Sequence, residues 1–271
     1  PNAAIILIAL LYGEGDFSRS IQIANMSGWD TDCNVGNVGA IMGVAVGLKG
    51  ISPHWREPLN DFIVSASIQG TRNISDIPNT ANFLEACGRR FAGDTEAEAT
   101  LPRCHFDYPG SMHGIKFEKR RCRVVQIQQS EEQAYCGRGS LRIAIDRLNR
   151  KGEVRIYLRT HFWVEELSSN HYEASFSPQI YPGQKLSVQL YMPEELPDFM
   201  HAALYVRDRS SGFNFQPPGK KLIPGQWNEI SIEIPYFEDV CISDVGIDIR
   251  SLMEDPWTGT IFPVSYTHLR A

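Results

Sequence analysis

GWDTDCNVGNVGAIMGVAVG, residues 28–47, decides how the first third of the chain is read. Asp30, Asp32 and Cys33 stand within four positions, directly before a glycine-rich apolar run. Gly28 permits a tight turn. Asp30 and Asp32 are two residues apart, so an extended or turning backbone points both carboxylates the same way. Carboxylates held close repel each other, and a hard divalent cation that prefers oxygen ligands removes that cost. On spacing alone a plainer arrangement stays open. Asp32 or Asn34 would then be a helix N-cap, worth about 1 kcal/mol, and Asp30 a solvated turn residue.

The run that follows is expected to be a helix over Val35 to Leu48. Gly36, Ala40, Gly43 and Gly47 fall on one stripe of it, with Gly39 beside them. Each glycine costs about 0.5–1 kcal/mol in a helix interior, which makes sense where another helix approaches closely. A membrane dimer stripe is the competing reading, but the run is too short to span a bilayer. The aspartates are thus expected on a short loop at the top of a packed bundle.

Working outward, Ala3 to about Arg90 has helical periodicity. Ala4, Leu7 and Leu11 mark a first helix, expected to be buried. Asp16 or Ser18 caps a second after the turn Gly13-Glu14-Gly15-Asp16. A fourth is expected over Leu59 to Ser67, and a fifth within Ile77 to Arg90. The opening PNAAIILIALLYG lacks an initiator methionine, a positive flank and the length of a span, so the chain reads as a fragment entered mid-helix. Beyond Cys104 the period becomes two. RVVQIQQ, SLRIAIDRL, EVRIYLRTHF, KLSVQLYM, AALYVRDR, WNEISIEIP and VGIDIRSL alternate apolar with polar, separated by glycine and proline turns. The expected architecture is multidomain: an all-α helical bundle fragment over 1–100, then an antiparallel β-sandwich of jelly-roll type over 101–264. The ending VSYTHLRA fits neither, and 265–271 reads as a non-native tail like those of some translated sequence reads.

With 42% hydrophobic and 21% charged residues the 271-residue chain is globular in type. A net charge of −6 argues against nucleic-acid and acidic-membrane partners. The six cysteines form no CxxC pair, so a zinc ribbon is not expected, and free buried thiols are.

DFSRSIQIANMSGWDTDCNVGNVGAIMGVAVG, residues 16–47, resembles the C-terminal metal motif of the ADP-ribosylglycohydrolase family. The resemblance covers Ala3 to about Arg90. It implies an all-α domain holding two Mg²⁺ ions that hydrolyses the bond between ADP-ribose and a protein side chain, or related N- and O-glycosidic bonds. Asp30 and Asp32 match the two metal-binding aspartates, and Asp32 is the better candidate to bridge the metals. Cys33 stands where the family has a ligating threonine. A thiol is a poor partner for Mg²⁺, so the departure puts the metal in question, with Mn²⁺ or Zn²⁺ as substitutes, and Asn34 offers an amide oxygen instead. The resemblance also implies further ligands, including a Thr-Asp-Asp element, in an N-terminal half preceding Pro1, so this segment alone should not turn over substrate.

In the strand half, Trp163, Phe213 and Phe215 are the candidate sugar-stacking residues, with Tyr172, Trp227 and Trp257 behind them, since most sandwich aromatics are core. Cys104, His105, Asp107 and His113 match no metal spacing and read as a domain junction. GQWNEISIEIP with ISDVGIDI loosely resembles jelly-roll carbohydrate-binding modules. The expected function is a metal-dependent glycosidic-bond hydrolase with an ADP-ribosyl or glycoside substrate and a carbohydrate-binding sandwich. The alternative is a non-catalytic binding protein with a degenerate helical domain.

Overall fold

The computed structural model describes residues 1–94, 96, 103–163, 166, 175–193, 199–237 and 239–269, with side chains to 264. The chain divides into two compact units, Pro1–Asn60 and Asp61–Ala271.

The first unit is helical. Helices α1 (Asn2–Tyr12), α2 (Phe17–Met26) and α3 (Thr31–Gly50) are followed by a single turn, α4 (Pro53–Arg56), and a 3-10 turn over Glu57–Leu59. Asp16 caps α2 by accepting from the Arg19 N–H (2.6 Å). Ala9, Ile21, Ala24, Val38 and Met42 form the core. Burial of α1 is narrower than expected. Only Ala9 is fully buried there, while Leu7, Ile8, Leu11 and Tyr12 are exposed. The glycine stripe is also corrected. A Cβ at Gly36 or Gly47 would meet nothing, one at Gly43 only the Ile51 tip at 3.9 Å, and only Gly39 lies close to a neighbouring helix, 3.4 Å from Ile21. The face that packs is Asn34, Val38 and Met42. Gly47 adopts φ 65° and ψ 178°, a kink rather than a packing position. No single helix among the described residues is long and apolar enough to cross a membrane; α3 and the turns after it pass on length and composition only as a pair bent by 118°.

The second unit opens with a two-stranded sheet, β1 (Phe62–Val64) paired antiparallel with β2 (Ile74–Asp76), which runs into α5 (Ile77–Phe91). The fourth helix expected over 59–67 is therefore not there. Ser65 and Ser67 instead bond the Asn73 side chain, which holds the loop between these strands.

The remaining strands are β3 (Lys116–Arg120), β4 (Arg123–Ser130), β5 (Ser140–Leu148), β6 (Glu153–Arg159), β7 (Lys185–Met192), β8 (Met200–Asp208), β9 (Asn214–Phe215), β10 (Lys220–Lys221), β11 (Gln226–Glu233), β12 (Ile242–Ser251) and β13 (Trp257–Leu269). They form two antiparallel sheets. One has the order β10-β8-β12-β6-β3 with β9 on β8, and the other β11-β7-β13-β5-β4. Their facing residues build one core that includes Leu141, Ile143, Val154, Ile156, Leu190, Leu204 and Ile249. All seven quoted alternating segments are strands, because period-two alternation gives one face to the core and one to water. The pattern missed β3, KFEKR, whose charges obscure it.

Two boundaries differ from expectation. The divide between units falls at Asn60/Asp61 and not near residue 100, because residues 61–91 are bonded to the strand half. Asp61 accepts from the Met112 N–H (2.6 Å), and Asp76 pairs with His113 (3.1 Å). Phe91 to Pro102 reads in the sequence as a linker, by its Ala, Glu, Gly and Thr content; of it, Phe91 ends α5, and 95 and 97–102 lie outside the described residues. At the other end β13 does not stop at 264. Its backbone stays in register with β7 at Thr267, His268 and Leu269.

Candidate functional site

The start of α3 brings Asp30, Asp32 and Cys33 together. One ligand atom from each lies within 4.8 Å of the others, and all three side chains are exposed. The local backbone explains the convergence. Gly28 has φ 70° and Asp30 is itself left-handed at φ 43°, a conformation that aspartate tolerates better than most residues. Asp30 holds the N-cap position of α3 but makes no side-chain cap bond, so its carboxylate is free to face outward. The Asn2 amide donates to it, and the Trp29 indole donates to Asn2 Oδ1 (2.9 Å). Pro1, Asn2, Ala3, Gly28, Trp29 and Asp30 line an open depression.

Asp32 lies in the first turn of α3, where unpaired N–H groups favour an anion. Among the described residues no cationic side chain pairs with Asp30 or Asp32. Asn34 is fully buried, donates its amide to the Trp29 carbonyl (2.8 Å), and leaves Oδ1 without a partner. Asp30, by hydrogen bond and charge, and then Asp32 push the Cys33 thiol up, so the neutral thiol is favoured there.

This donor set fits a hard cation in part. Two exposed carboxylates at one helix start, without a cationic partner among the described residues, are suitable oxygen donors. Cysteine is a poor third ligand for Mg²⁺, and Zn²⁺ would bind it only as the deprotonated thiolate.

The aromatic candidates are placed differently. Phe213 is exposed on the turn before β9, and Trp163 is exposed just after β6 with its ring edge-on to His161 at 5.5 Å. Phe215 turns inward, packs on the core and lies 5.3 Å from Phe237. No ring contact joins the three among the described residues, and Tyr172 lies outside them. A set the sequence reading did not assemble lies across the sheet containing β11 and β7. Trp227 stacks with Tyr191 (5.4 Å) and Tyr135 (5.5 Å). The signal was present, since Trp227 and Tyr191 both stand at the outward positions of alternating strands, but their register was not.

Cys104, His105, Asp107 and His113 form a closed junction. His113 Nε2 accepts from the Phe106 N–H (3.3 Å), so its proton sits on Nδ1 and is donated to Asp76 (3.1 Å). His105 Nδ1 accepts from the Asp107 N–H (3.1 Å), and its Nε2 lies 3.1 Å from the Asn82 amide nitrogen. Of the six free thiols only Cys104 is buried, so the expectation of buried thiols fails for the others.

The ADP-ribosylglycohydrolase family model matches residues 1–90. No curated protein matches the chain. Among solved structures, a carbohydrate-binding module of the β-sandwich superfamily described as promiscuous in specificity is 15% identical, with a TM-score of 0.47, and the match covers 62% of this chain and 62% of that one. A family 28 module specific for non-crystalline cellulose is 15% identical, at a TM-score of 0.45 over 64% of this chain and 96% of its own. The C-terminal family 22 module of Clostridium thermocellum Xyn10B is 16% identical, at a TM-score of 0.39 over 62% and 91%. The family match crosses the divide between the two units.

Proposed function

We propose that the helical segment is part of a metal-dependent hydrolase of N- or O-glycosidic bonds, with an ADP-ribosyl or glycoside substrate, and that the sandwich is its accessory carbohydrate-binding domain. The observation that carries the first part is the convergence of Asp30, Asp32 and Cys33 at the start of α3, inside the segment that matches the family model. Asp30 and Asp32 would hold the cation, Mg²⁺ or Mn²⁺, with Asp32 the better candidate to bridge two ions. A cation held there supplies Lewis acidity, polarising a water and orienting sugar hydroxyls. Asn2 fixes the rotamer of Asp30, and Trp29 presents an exposed ring beside the carboxylates on which a sugar or base can stack.

The test titrates Mn²⁺ into the protein and into its Asp30→Ala and Asp32→Ala forms. Each substitution is expected to weaken Mn²⁺ binding at least tenfold. Unchanged affinity in both removes the site assignment.

One observation favours a second reading, a binding protein whose metal site has degenerated. Cys33 stands where the resemblance places an oxygen ligand, and Asp30 and then Asp32 push its thiol up. Cys33→Thr separates the two readings. Under the hydrolase reading it strengthens Mg²⁺ binding several-fold at the expense of Zn²⁺; under the second reading it leaves Mg²⁺ binding absent.

A further inference from the structure

The sandwich offers two outward sheet faces, and they differ in chemistry. On the sheet containing β8, β12 and β6 the outward positions around Tyr157 and the buried Tyr205 are filled by charge already answered by charge. Arg207 forks onto Glu118 through two 3.0 Å bonds, and Arg250 reaches Asp248 at 2.8 Å. Arg155 and Arg159 lie 3.4 Å from the buried Asp248 and Asp244. A ligand there would have to break these pairs and leave carboxylates buried without partners, a cost of several kcal/mol.

The other sheet is different. One register row crosses all five of its strands. Trp227 pairs with Tyr191, and Tyr191 with Phe262. Ile261 pairs with Ile143, which brings Arg142 beside Phe262, and Arg142 pairs with Gln128. Alternation turns this row outward, since Leu190, Asn228 and Ile143 at the adjoining positions are buried inward; the inner edge of Trp227 still packs against the core, and Phe262 at the centre of the row is itself buried. Tyr135, half exposed, stands over Trp227 at 5.5 Å. Aromatic rings thus occupy one half of the row, and a guanidinium and an uncharged amide the other. Arg142 is balanced by Glu132 (3.2 Å), and its remaining nitrogens reach Gln126 and Thr260. The row is close to neutral and carries donors and acceptors at its polar end. Four strand spacings of about 4.8 Å give it a length of roughly 19 Å.

We infer that this row is the saccharide platform of the domain, and that its ligand is an uncharged, extended glycan chain lying across the strands. Rings of Tyr135, Trp227 and Tyr191 take the C–H faces of sugar units. Gln128 and Arg142 take hydroxyls, an arrangement in which planar forks bind vicinal oxygens in pairs. A neutral polyol matches a balanced surface, whereas an acidic glycan would need net positive charge. The inference rests on the carbohydrate reading of the sandwich and names its face, its residues and the class of its ligand.

The test is affinity electrophoresis of the full chain in gels cast with soluble xylan, hydroxyethyl cellulose or glucomannan, with polygalacturonate as the anionic control. Retardation by at least one neutral polymer is expected. Tyr135→Ala and Gln128→Ala, both at exposed positions, should each weaken it at least fivefold with unchanged melting curves, and Trp227→Ala at least tenfold. Trp163→Ala and Phe213→Ala should leave it unchanged. Binding that survives Tyr135→Ala, Gln128→Ala and Trp227→Ala overturns this face while leaving the carbohydrate reading standing. No retardation by any of the three neutral polymers overturns both. Stronger retardation by polygalacturonate overturns the neutral class.

Discussion

Asp76 and His113 form a buried hydrogen-bonded pair. Burial pushes the Asp76 carboxyl up, but the His113 hydrogen bond and two bonds from Asn79 outweigh it and hold the carboxyl below its ordinary value of 3.8. Next to it, burial and then the neighbouring His113 hold His105 below its ordinary 6.5. Both shifts have the same sign in the linkage relation. The unfolded chain binds more protons than the folded chain between each lowered value and the ordinary one, so stability rises with pH through each window. Stability from His105 should be present above about pH 6.5 and lost below it, and that from Asp76 lost below about pH 3.8. Urea melts from pH 7 to 5 should show the first loss, and His105→Asn should flatten that part of the profile. Asp76→Ala removes a cap, a buried ion and three bonds at once, and should cost about 3 kcal/mol at pH 7. A wild-type profile flat from pH 7 to 5 would contradict the account.

Within the elements, the glycines of α3 separate into kinds that the sequence alone does not distinguish. Gly47 sits in a region of backbone space open essentially to glycine, so Gly47→Ala should destabilise the helical unit by about 1–3 kcal/mol. Gly36 is regular helix with open space where a Cβ would stand, so Gly36→Ala should stabilise by about 0.5–1 kcal/mol. Thermal melts of the two variants, moving in opposite directions, check this. The same contrast shows what was legible. Alternation along SLRIAIDRL or KLSVQLYM reads directly as a strand because each residue reports its own face. Asp30, Asp32 and Cys33 were legible because a short turn alone brings them together. The row from Trp227 to Gln128 was not, since it exists only once five strands separated by many residues adopt one register. Nor was the short sheet of β1 and β2, where a proline before an apolar run resembles a helix start and the deciding partner, Asn73, lies beyond the window.

At the scale of the whole molecule the two units differ in how much core each possesses. Five fully buried apolar side chains hold the helical unit, two of them alanines, against 28 in the sandwich among the described residues. The helical unit also leaves Leu7, Leu11, Met26 and Val44 largely in water. Stability follows the apolar area removed from water, at about 25 cal/mol per Å², and a small core offsets little of the entropy of ordering its chain. The units are therefore expected to unfold in two steps. In urea, the helical signal at 222 nm should begin to fall while the fluorescence of Trp227 and Trp257, both packed against the sandwich core, still reports a folded domain. A dye that binds exposed apolar surface should be taken up before the first step, because the unit displays such surface while folded. Gly47→Ala should move the first step alone, and Asp76→Ala the second alone, since α5 is bonded to the strand half. A single transition in which both signals and both substitutions move together would show that the helices draw their stability from the sandwich and not from their own five-residue core.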